Sequence, residues 1–374
     1  MPMTTILCTV TNDLVFDQRM QRICSTLAGH GYAVELIGRV LPHSPALDEQ
    51  PYAQRRLRCR FTKGVLFYAE FNLRLFFYLL RAPCDAICSV DLDTLSAGCA
   101  ASLLRRKKRV FDAHEYFTEV PEVTHRPLIK WIWAAVARLC LPFYRHAYTV
   151  GPALAGIMRE KYKLPFAIVR NVPSLSPAPA QQVADPAAKI LLYQGALNAG
   201  RGIEHMLAAM QSLDGLELWL AGEGDLSEAL RERAAALGLG QRAKFLGRVK
   251  PAGLRDLTRQ AWLGINVLEN KGLSYYYSLA NKFFDYVHAG VPVLTMDFPE
   301  YRALNDQYEV AVLLDHLTPE KIVTAIRLLQ SDQAVYERLR HNTRAARQAW
   351  NWEQEQAALL QTWAAVFSAP AEKA

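Results

Sequence analysis

The feature of this sequence that most constrains its fold is an alternation of short apolar runs with longer amphipathic runs, present in both halves of the chain. In the first half the apolar runs cover residues 5–10, 33–38, 86–88, 109–112 and 147–150, and the amphipathic runs cover 16–29, 92–104, 128–141 and 153–162. The apolar runs predict buried strands and the amphipathic runs predict helices. Strands alternating with helices favour a parallel sheet with helices on both faces.

The second half repeats the pattern after a segment rich in proline and alanine, residues 172–188. Its predicted strands are 190–194, 216–221, 243–246, 263–267, 292–295 and 310–314, and its predicted helices are 203–213, 226–237, 252–260, 279–288 and 319–330. A chain of 374 residues is also long enough for two domains. We therefore expect an α/β protein of two doubly wound, Rossmann-like domains that face each other across a cleft. The predicted parts are an N-terminal domain at 1–171, a linker at 172–188, a second domain at 189–349, and a C-terminal helix at 350–374 that crosses back to the first domain.

Charge is distributed unevenly along the chain, whose net charge is +7. Residues 1–171 carry 23 Lys and Arg against 14 Asp and Glu, whereas residues 172–374 carry 20 against 22. The first half is thus the part expected to meet an anionic surface or partner. The most apolar window, residues 65–80, contains Glu70 and Arg74 and is shorter than the roughly 20 residues that span a bilayer. With no secretory signal visible, we expect a cytoplasmic protein, with peripheral attachment to the inner face of the cell membrane left open, and no nucleic-acid partner.

Three strand-to-helix loops of the second half could bind a ligand, because ligands of doubly wound sheets bind at the carboxyl ends of strands. In the loop at 194–202, Gly195 would let a ligand approach the backbone closely and Arg201 could bind phosphate oxygens. The same residues are also typical of a tight turn that carries a surface arginine. In the loop at 221–225, Gly222 and Gly224 flank Glu223. This loop could contact a ligand, or it could simply form a turn. The loop at 245–249 brings Arg248 to the same edge.

The fourth loop and the helix after it, residues 277–293, are the most informative stretch. Ser278 is predicted to open a helix and Gly290 to end it. The first amides of that helix, around Asn281 and Lys282, would form an anion site. Asp285 lies farther along the same helix, where a carboxylate could accept hydrogen bonds from the two hydroxyls of a ribose.

These four loops, in this order and spacing, resemble the retaining glycosyltransferases of family 4, which have the GT-B fold. The resemblance implies a nucleotide-sugar donor, such as a UDP- or GDP-sugar, bound by the second half, and a glycan or lipid-linked acceptor beside the first. Ala196 stands where the family usually has a phosphate-binding arginine, and Arg201 takes the place of the usual lysine. In the family's Glu-x7-Glu motif, Tyr277 replaces the first glutamate and Asp285 the second. One cation of two therefore remains in the expected places, and Arg201 and Asp285 are the catalytic candidates of this half.

In the first half, His114 follows a predicted strand in the sequence Phe-Asp-Ala-His-Glu-Tyr. The resemblance implies that His114 lies near the transferred sugar, although a lone histidine is often structural, and it places Glu115 on the acceptor side. It also implies an acceptor-facing loop after the first strand, here with Asn12, Asp13 and Asp17. Because this loop has no glycine, helix capping by Asn12 or Asp13 is an equal alternative.

We expect no metal and no cofactor beyond the donor itself. No cluster of His and Cys has metal-ligand spacing, and Asp91 with Asp93 is interpreted as the N-cap of the helix that follows. Transfer without a metal and with retention at the anomeric carbon is what the resemblance implies.

A membrane contact is suggested by the predicted helix around residues 126–145. Arg126, Lys130, Arg138 and Arg145 fall on one side of a helical wheel, and the remainder is apolar, with Trp131, Ile132, Trp133, Val136 and Leu139. The helix could lie on an anionic membrane, or it could be a core helix with a solvated basic edge. Pro142 interrupts the wheel and favours the second interpretation.

Other functions of the same fold remain open at this point. A nucleotide-sugar epimerase or hydrolase would need the same donor site, and a non-catalytic binding subunit would be consistent with Tyr277 and Ala196. A Rossmann dehydrogenase is disfavoured, since no Gly-x-Gly-x-x-Gly follows the first strand of either half.

Overall fold

The computed structural model describes residues 3–42, 44–175 and 189–368. The chain divides into two compact units. Unit 1 holds the chain up to Arg170 and again from Glu355 onward, and unit 2 spans Asn171–Gln354. Most of the predicted linker, residues 176–188, and the last six residues of the predicted C-terminal helix lie outside the described residues.

Unit 1 contains a parallel seven-stranded sheet in the order β3-β2-β1-β4-β5-β6-β7. Its strands are β1 (Thr5–Thr9), β2 (Ala33–Val40), β3 (Ala53–Arg58), β4 (Ala86–Val90), β5 (Lys108–Ala113), β6 (His146–Thr149) and β7 (Phe166–Ile168). Its helices are α1 (Gln18–Gly29), α2 (Gly64–Arg81), α3 (Asp91–Leu104), α4 (Pro121–Thr124), α5 (Pro127–Cys140) and α6 (Pro152–Tyr162). Strand β4 is buried along its whole length, as expected for a strand covered on both faces.

Unit 2 contains a parallel six-stranded sheet in the order β10-β9-β8-β11-β12-β13. Its strands are β8 (Lys189–Gln194), β9 (Leu216–Ala221), β10 (Ala243–Gly247), β11 (Leu263–Asn266), β12 (Val293–Met296) and β13 (Ala311–Leu314). Its helices are α7 (Ile203–Ala209), α8 (Ser227–Ala236), α9 (Pro251–Arg259), α10 (Leu273–Tyr276), α11 (Asn281–His288), α12 (Pro299–Gln307), α13 (Pro319–Ser331) and α14 (Gln333–Ala349). The two doubly wound α/β sheets expected from the alternating pattern are both present.

The last helix, α15 (Trp352–Ser368), packs on the N-terminal sheet unit. Trp363 is fully buried, Phe367 stacks on Tyr32 with ring centroids 5.5 Å apart, and Lys108 donates from its ammonium group to the carbonyl of Val366. The aromatic face of α15 therefore belongs to the core of unit 1. Within the residues that the structure describes, no helix is both long enough and apolar enough to cross a bilayer.

Several elements differ from the sequence-based expectation. The apolar window at 65–80 is part of α2, and β3, β7, α12 and α14 were not predicted. Helix α1 begins at Gln18 because Asp17 caps it, accepting a hydrogen bond from the Met20 amide at 3.0 Å, so the cap is neither Asn12 nor Asp13. Helix α11 begins at Asn281 and not at Leu279, because the Tyr301 hydroxyl accepts from the Ala280 amide and the Ser278 hydroxyl turns back to the carbonyl of Tyr275.

Candidate active site

In unit 2 the candidate site lies where the strand order reverses. Strands β8 and β11 are neighbours, but the chain leaves β8 toward β9 and leaves β11 toward β12. The loops after these two strands therefore separate at the carboxyl edge of the sheet and leave a crevice, the usual ligand position in such sheets. The 194–202 loop follows β8, and the segment that leads into α11 follows β11.

The first two glycine loops pack against each other, backbone on backbone. A Cβ atom at Gly222 would overlap the carbonyl oxygen of Gly195, and one at Gly224 would overlap the amide side chain of Asn198. The Gly195 amide also donates to the carbonyl of Ala221 at 3.0 Å. Gly222 and Gly224 thus make room for the 194–202 loop, and their direct contact with a donor stays a prediction.

Two basic side chains of this edge, Lys282 and Arg201, lie close enough to interact electrostatically, and Lys282 lies beside Gly195. Lys282, in the first turn of α11, is buried, and its Nζ lies 3.8 Å from the centroid of the Tyr193 ring. A Cβ at Gly195 would stand 3.7 Å from the same Nζ. The guanidinium carbon of Arg201 lies 4.9 Å from the ring centroid of Tyr275. Within the described residues, neither the buried Lys282 Nζ nor the buried Arg201 Nε has a hydrogen-bond partner.

The electrostatics of this pair are unfavourable without an anion. Burial, together with the positive charge of Arg201, lowers the pKa of Lys282 well below its usual range. Burial raises the pKa of the Tyr193 hydroxyl, which donates to the carbonyl of Ala196 at 2.8 Å. A buried cation with no anionic partner costs free energy unless a ligand supplies the opposite charge. The sequence showed one cation of the expected two, and the structure adds Lys282 as a second one from a different element.

Asp285, the predicted ribose ligand, is held by a short hydrogen-bonded chain. Its carboxylate accepts from Nε2 of the Gln194 side chain at 2.9 Å, and Oε1 of the same side chain accepts from the Thr258 hydroxyl at 2.9 Å. Gln194 is the last residue of β8, so Asp285 stands at the start of the first glycine loop. Gln194 and Thr258 were read from the sequence as ordinary strand and helix positions, and only the assembled sheet brings them to Asp285.

The remaining predicted donor residues lie on the same edge of unit 2. Arg248 is exposed in the loop after β10. The pKa of the nearby Glu223 is lowered mainly by a hydrogen bond with Ser227 and, to a smaller extent, by the charge of Arg248. Asn281 is exposed at the first position of α11, whereas the Ser278 side chain is occupied by the Tyr275 carbonyl.

Unit 1 has a polar cavity at the corresponding place in its own sheet, where β1 and β4 diverge. Its volume is about 500 Å³. Its polar lining comes from the ends of several strands: Thr11, Asn12, Arg39, Asp91, Asp93, His114 and Glu115. Three of the predicted residues, Asn12, His114 and Glu115, therefore line one cavity.

His114 is held by two carboxylates. Its Nε2 lies 3.0 Å from Asp112, its Nδ1 lies 3.8 Å from Asp91, and its backbone amide donates to Asp91 at 2.8 Å. Asp112 is fully buried and pairs with Arg19 at 2.8 Å. Burial opposes a charged imidazole, but the charges of Asp112 and Asp91 outweigh burial and raise the pKa of His114 to about 9. The imidazole is thus a cation at neutral pH.

Asp91 was expected to cap its own helix, and it does not. It is the first residue of α3, its φ is +52°, and its carboxylate bonds to His114 instead. Asp93 bonds to the Thr11 hydroxyl, and burial raises the pKa of Asp93 to about 6.

Asp13 and Asp17 do not line the cavity. Asp13 forms an ion pair with Arg56 at 2.6 Å, and Asp17 caps α1 and accepts from the Asn12 side chain at 3.0 Å. Their acceptor-side role stays a prediction. Among the described residues, no three His, Cys, Asp or Glu side chains group as a metal site would require.

Comparisons with known proteins agree with this geometry. The model of glycosyl transferases group 1 matches residues 177–346, and that of glycosyltransferase family 4 matches residues 18–174. No curated protein is a significant match to the sequence.

Solved structures resemble the chain along nearly its whole length. A sucrose-phosphate synthase from Thermosynechococcus elongatus is 18% identical with a TM-score of 0.78, covering 98% of this chain and 100% of its own. The Anabaena protein HepE, solved in complex with UDP and glucose, is 14% identical with a TM-score of 0.76, covering 96% and 99%. WaaG, described as a glycosyltransferase of lipopolysaccharide biosynthesis, is 14% identical with a TM-score of 0.72, covering 95% and 98%. Together with the two α/β sheets, these structural likenesses confirm the GT-B fold. The two family models together cover most of the sequence. The chain therefore belongs to the family 4 glycosyltransferases.

Proposed function

We propose that the protein transfers a sugar from a nucleoside diphosphate sugar, of the UDP or GDP class, to a hydroxyl of a glycan or lipid-linked acceptor, with retention at the anomeric carbon. The observation that carries this proposal is that Lys282 lies beside Gly195, within the electrostatic field of Arg201, at the carboxyl edge of the unit 2 sheet. The buried Lys282 and the half-buried Arg201 could meet the two phosphates of such a donor, and the HepE structure with UDP has the same fold.

Both cations would act on the leaving group. In the transfer, the acceptor hydroxyl bonds to the anomeric carbon, the bond from that carbon to the phosphate oxygen breaks, and the hydroxyl proton passes to the departing phosphate. Negative charge grows on the diphosphate as the bond breaks. Preorganised cations in a site of low dielectric stabilise that charge more than water does. Asp285 would hold the ribose, and His114 and Glu115 would line the acceptor side.

Binding and turnover test the proposal together. We expect UDP or GDP to raise the melting temperature of the protein, because a ligand that binds only the folded state stabilises it. Arg201→Ala should lower turnover by more than tenfold, and Arg201→Lys should recover part of the loss, because a point charge replaces a bidentate donor. Arg233→Ala, at an exposed position of α8, is the matched control and should leave turnover unchanged.

The Asp285 role is tested with modified ligands. Asp285→Ala should weaken nucleoside diphosphate binding by roughly 10- to 100-fold, since a hydrogen bond to a charged group contributes about 1.5–3 kcal/mol. The wild-type protein should also bind a 2′,3′-dideoxynucleoside diphosphate weakly, and the variant should bind the two ligands about equally. A variant that still prefers the ribose form would contradict the ribose contact.

Products separate transfer from the alternatives. NMR of a donor panel with and without hydroxyl acceptors should show a glycoside with the donor's anomeric configuration. An epimerised donor, or free sugar at the same rate without acceptor, would indicate the epimerase or hydrolase function. Tight nucleotide binding without turnover across the panel would instead indicate a binding subunit.

A further inference from the structure

Exposed apolar surface is concentrated in unit 1. Of the seventeen exposed large apolar side chains among the described residues, fourteen belong to unit 1 and three to unit 2. The largest share lies on two helices of one sheet face, α2 and α5. Large contiguous apolar patches are rare on monomeric proteins and mark contact with a partner or a membrane.

The two helices are joined on that face. Both pack on α3, and Tyr68 of α2 contacts Trp133 of α5 edge-to-face at 5.1 Å. The core stripe of α2, from Phe67 to Leu79, and the buried residues Trp133 and Ala137 of α5 point to the sheet. The helices therefore present their opposite sides to the same exterior.

The exterior sides are apolar. Leu66, Leu73 and Phe77 project from α2, and Leu128, Trp131 and Leu139 project from α5, and we call these six residues the α2–α5 face. Leu66 is 60% exposed, Trp131 68% and Leu139 71%. Helix α5 thus has a buried side with Trp133 and Ala137 and an outer side on which apolar residues accompany the exposed Arg138, so both interpretations of this helix stay open.

Basic groups border this face. A groove at the end of α2 is lined by Arg58, Arg74 and Arg81, next to Phe77 of the α2–α5 face. Arg138 of α5 and Arg126, the residue directly before this helix, are exposed.

Two acidic side chains near the face have protein partners. Glu70 accepts from the backbone amides of Arg60 and Phe61 and from the Arg74 side chain. Glu119 pairs with Lys130 at 2.7 Å.

We propose that the α2–α5 face binds the surface of an anionic lipid bilayer, with the arginine groove holding lipid phosphates. Exposed Leu and Trp beside exposed Arg is the composition of an interfacial surface, in which apolar groups enter the acyl boundary and cations meet the headgroups. The charge is complementary, since the half of the chain that carries this face has 23 Lys and Arg against 14 Asp and Glu in residues 1–171. This proposal does not depend on glycosyl transfer.

Vesicle flotation tests the proposal. The wild-type protein should float with phosphatidylglycerol vesicles, should stay largely free with phosphatidylcholine vesicles, and should be released as salt exceeds physiological strength. Arg58→Glu with Arg81→Glu should lower the partition coefficient by about 25-fold or more, since each basic residue near the surface contributes roughly fivefold. Leu66→Ser with Trp131→Ser should lower vesicle binding as well. At high salt this pair should bind less than the charge-reversal pair, because it lacks the apolar contacts that salt does not screen.

Matched controls use unit 2. Leu328→Ser removes an exposed apolar group, and Arg233→Glu with Arg344→Glu reverses exposed charges, in both cases outside unit 1. Neither control should change flotation. All variants should keep the wild-type melting temperature and its increase with nucleoside diphosphate.

Three other results would overturn the proposal. Wild-type protein that stays free of phosphatidylglycerol vesicles at low salt would refute membrane binding. A dimer in solution that Leu66→Ser with Trp131→Ser dissociates would assign the face to a second copy of the chain. Release of the protein from phosphatidylglycerol vesicles by millimolar glycerol phosphate at constant ionic strength would assign the arginine groove to a free phosphate compound.

Discussion

The Lys282 ammonium group has no hydrogen-bond partner among the described residues, and an anionic ligand would stabilise it there. Its ammonium group is buried, faces the Tyr193 ring at 3.8 Å, and lies within the field of Arg201. In the unliganded protein its lowered pKa makes the fold less stable below the ordinary lysine value of about 10.4, because the folded protein binds fewer protons than the unfolded one. A diphosphate reverses this effect, because its negative charge raises the pKa of the lysine.

Proton uptake measures that reversal. At pH 8, where a terminal phosphate with a pKa of roughly 6 is already ionised, binding of UDP or GDP should take up a fraction of one proton. Calorimetry in two buffers with different ionisation enthalpies checks it. Lys282→Met should abolish the uptake and weaken binding at least tenfold, yet should leave the unliganded melting temperature equal or higher. Lys321→Met, at an exposed position of α13, should behave as the wild-type protein. An unliganded protein destabilised by Lys282→Met would show that the lysine has a structural role.

The raised pKa of His114 gives a second prediction. Because its pKa is raised to about 9, its charged contacts stabilise the fold fully below the ordinary value of about 6.5. That contribution is lost as the pH rises through 9. Asp91→Asn keeps an oxygen for the His114 amide but removes one of the charges that raise the pKa. An NMR titration should then place the pKa of His114 lower than in the wild-type protein, with the eight other histidines as internal references. An unchanged titration would leave Asp112 as the sole carboxylate partner.

The positions of Arg201 and His114 in loops after strands, and of Asp285 inside a helix, were predictable from the sequence, whereas contacts between distant residues were not; the roles of these residues stay predictions. Arg201, Asp285 and His114 follow strand or loop patterns visible in the sequence. Lys282 was expected to contribute a helix N-terminal amide, and its role as the second cation depends on Tyr193 and Gly195, which lie nearly ninety positions away. The Asp91 contact with His114 likewise joins the ends of two strands.

At the scale of elements, the alternating pattern predicted most strands and helices, and the failures have physical causes. Helix α2 was read as an apolar window because Leu66, Leu73 and Phe77 are exposed on the side that is usually polar, which hides the helical period. The sequence predicts that α11 begins two residues too early, because serine is a common residue type at helix N-caps and Ser278 stands directly before the predicted helix. Only the distant Tyr301 hydroxyl shows that the chain is still irregular at Ala280.

The packing of two loops gives a prediction for Gly222. Gly222→Ala would place a Cβ on the carbonyl oxygen of Gly195 and should destabilise the fold by roughly 3 kcal/mol, from backbone strain and overlap together. Nucleoside diphosphate affinity should fall more than tenfold, because the 194–202 loop must move. Gly238→Ala, with φ of +67° and open space around it, is the control and should cost about 1 kcal/mol with no effect on affinity. Denaturant unfolding and calorimetry measure both quantities.

The C-terminal segment contributes to both units. Trp350 ends α14 in unit 2 and packs on Phe283 and Phe284 of α11, the helix that carries Lys282. Its carbonyl oxygen lies 2.6 Å from the His288 ring. Thirteen residues later, Trp363 is fully buried in unit 1. Both tryptophans are almost completely shielded from solvent, yet they support different units.

The same substitution at these two positions should therefore have different consequences. Trp350→Ala and Trp363→Ala each remove a buried indole and should each cost about 3–5 kcal/mol of unfolding free energy. Trp350→Ala should also weaken nucleoside diphosphate binding, because α11 loses the surface on which Phe283 and Phe284 rest. Trp363→Ala should leave that affinity unchanged. In hydrogen exchange, Trp363→Ala should lose protection in unit 1 strands such as β1, and Trp350→Ala in unit 2 strands such as β12. Equal loss of nucleotide affinity in both variants would mean that the donor site depends on unit 1 as much as on unit 2.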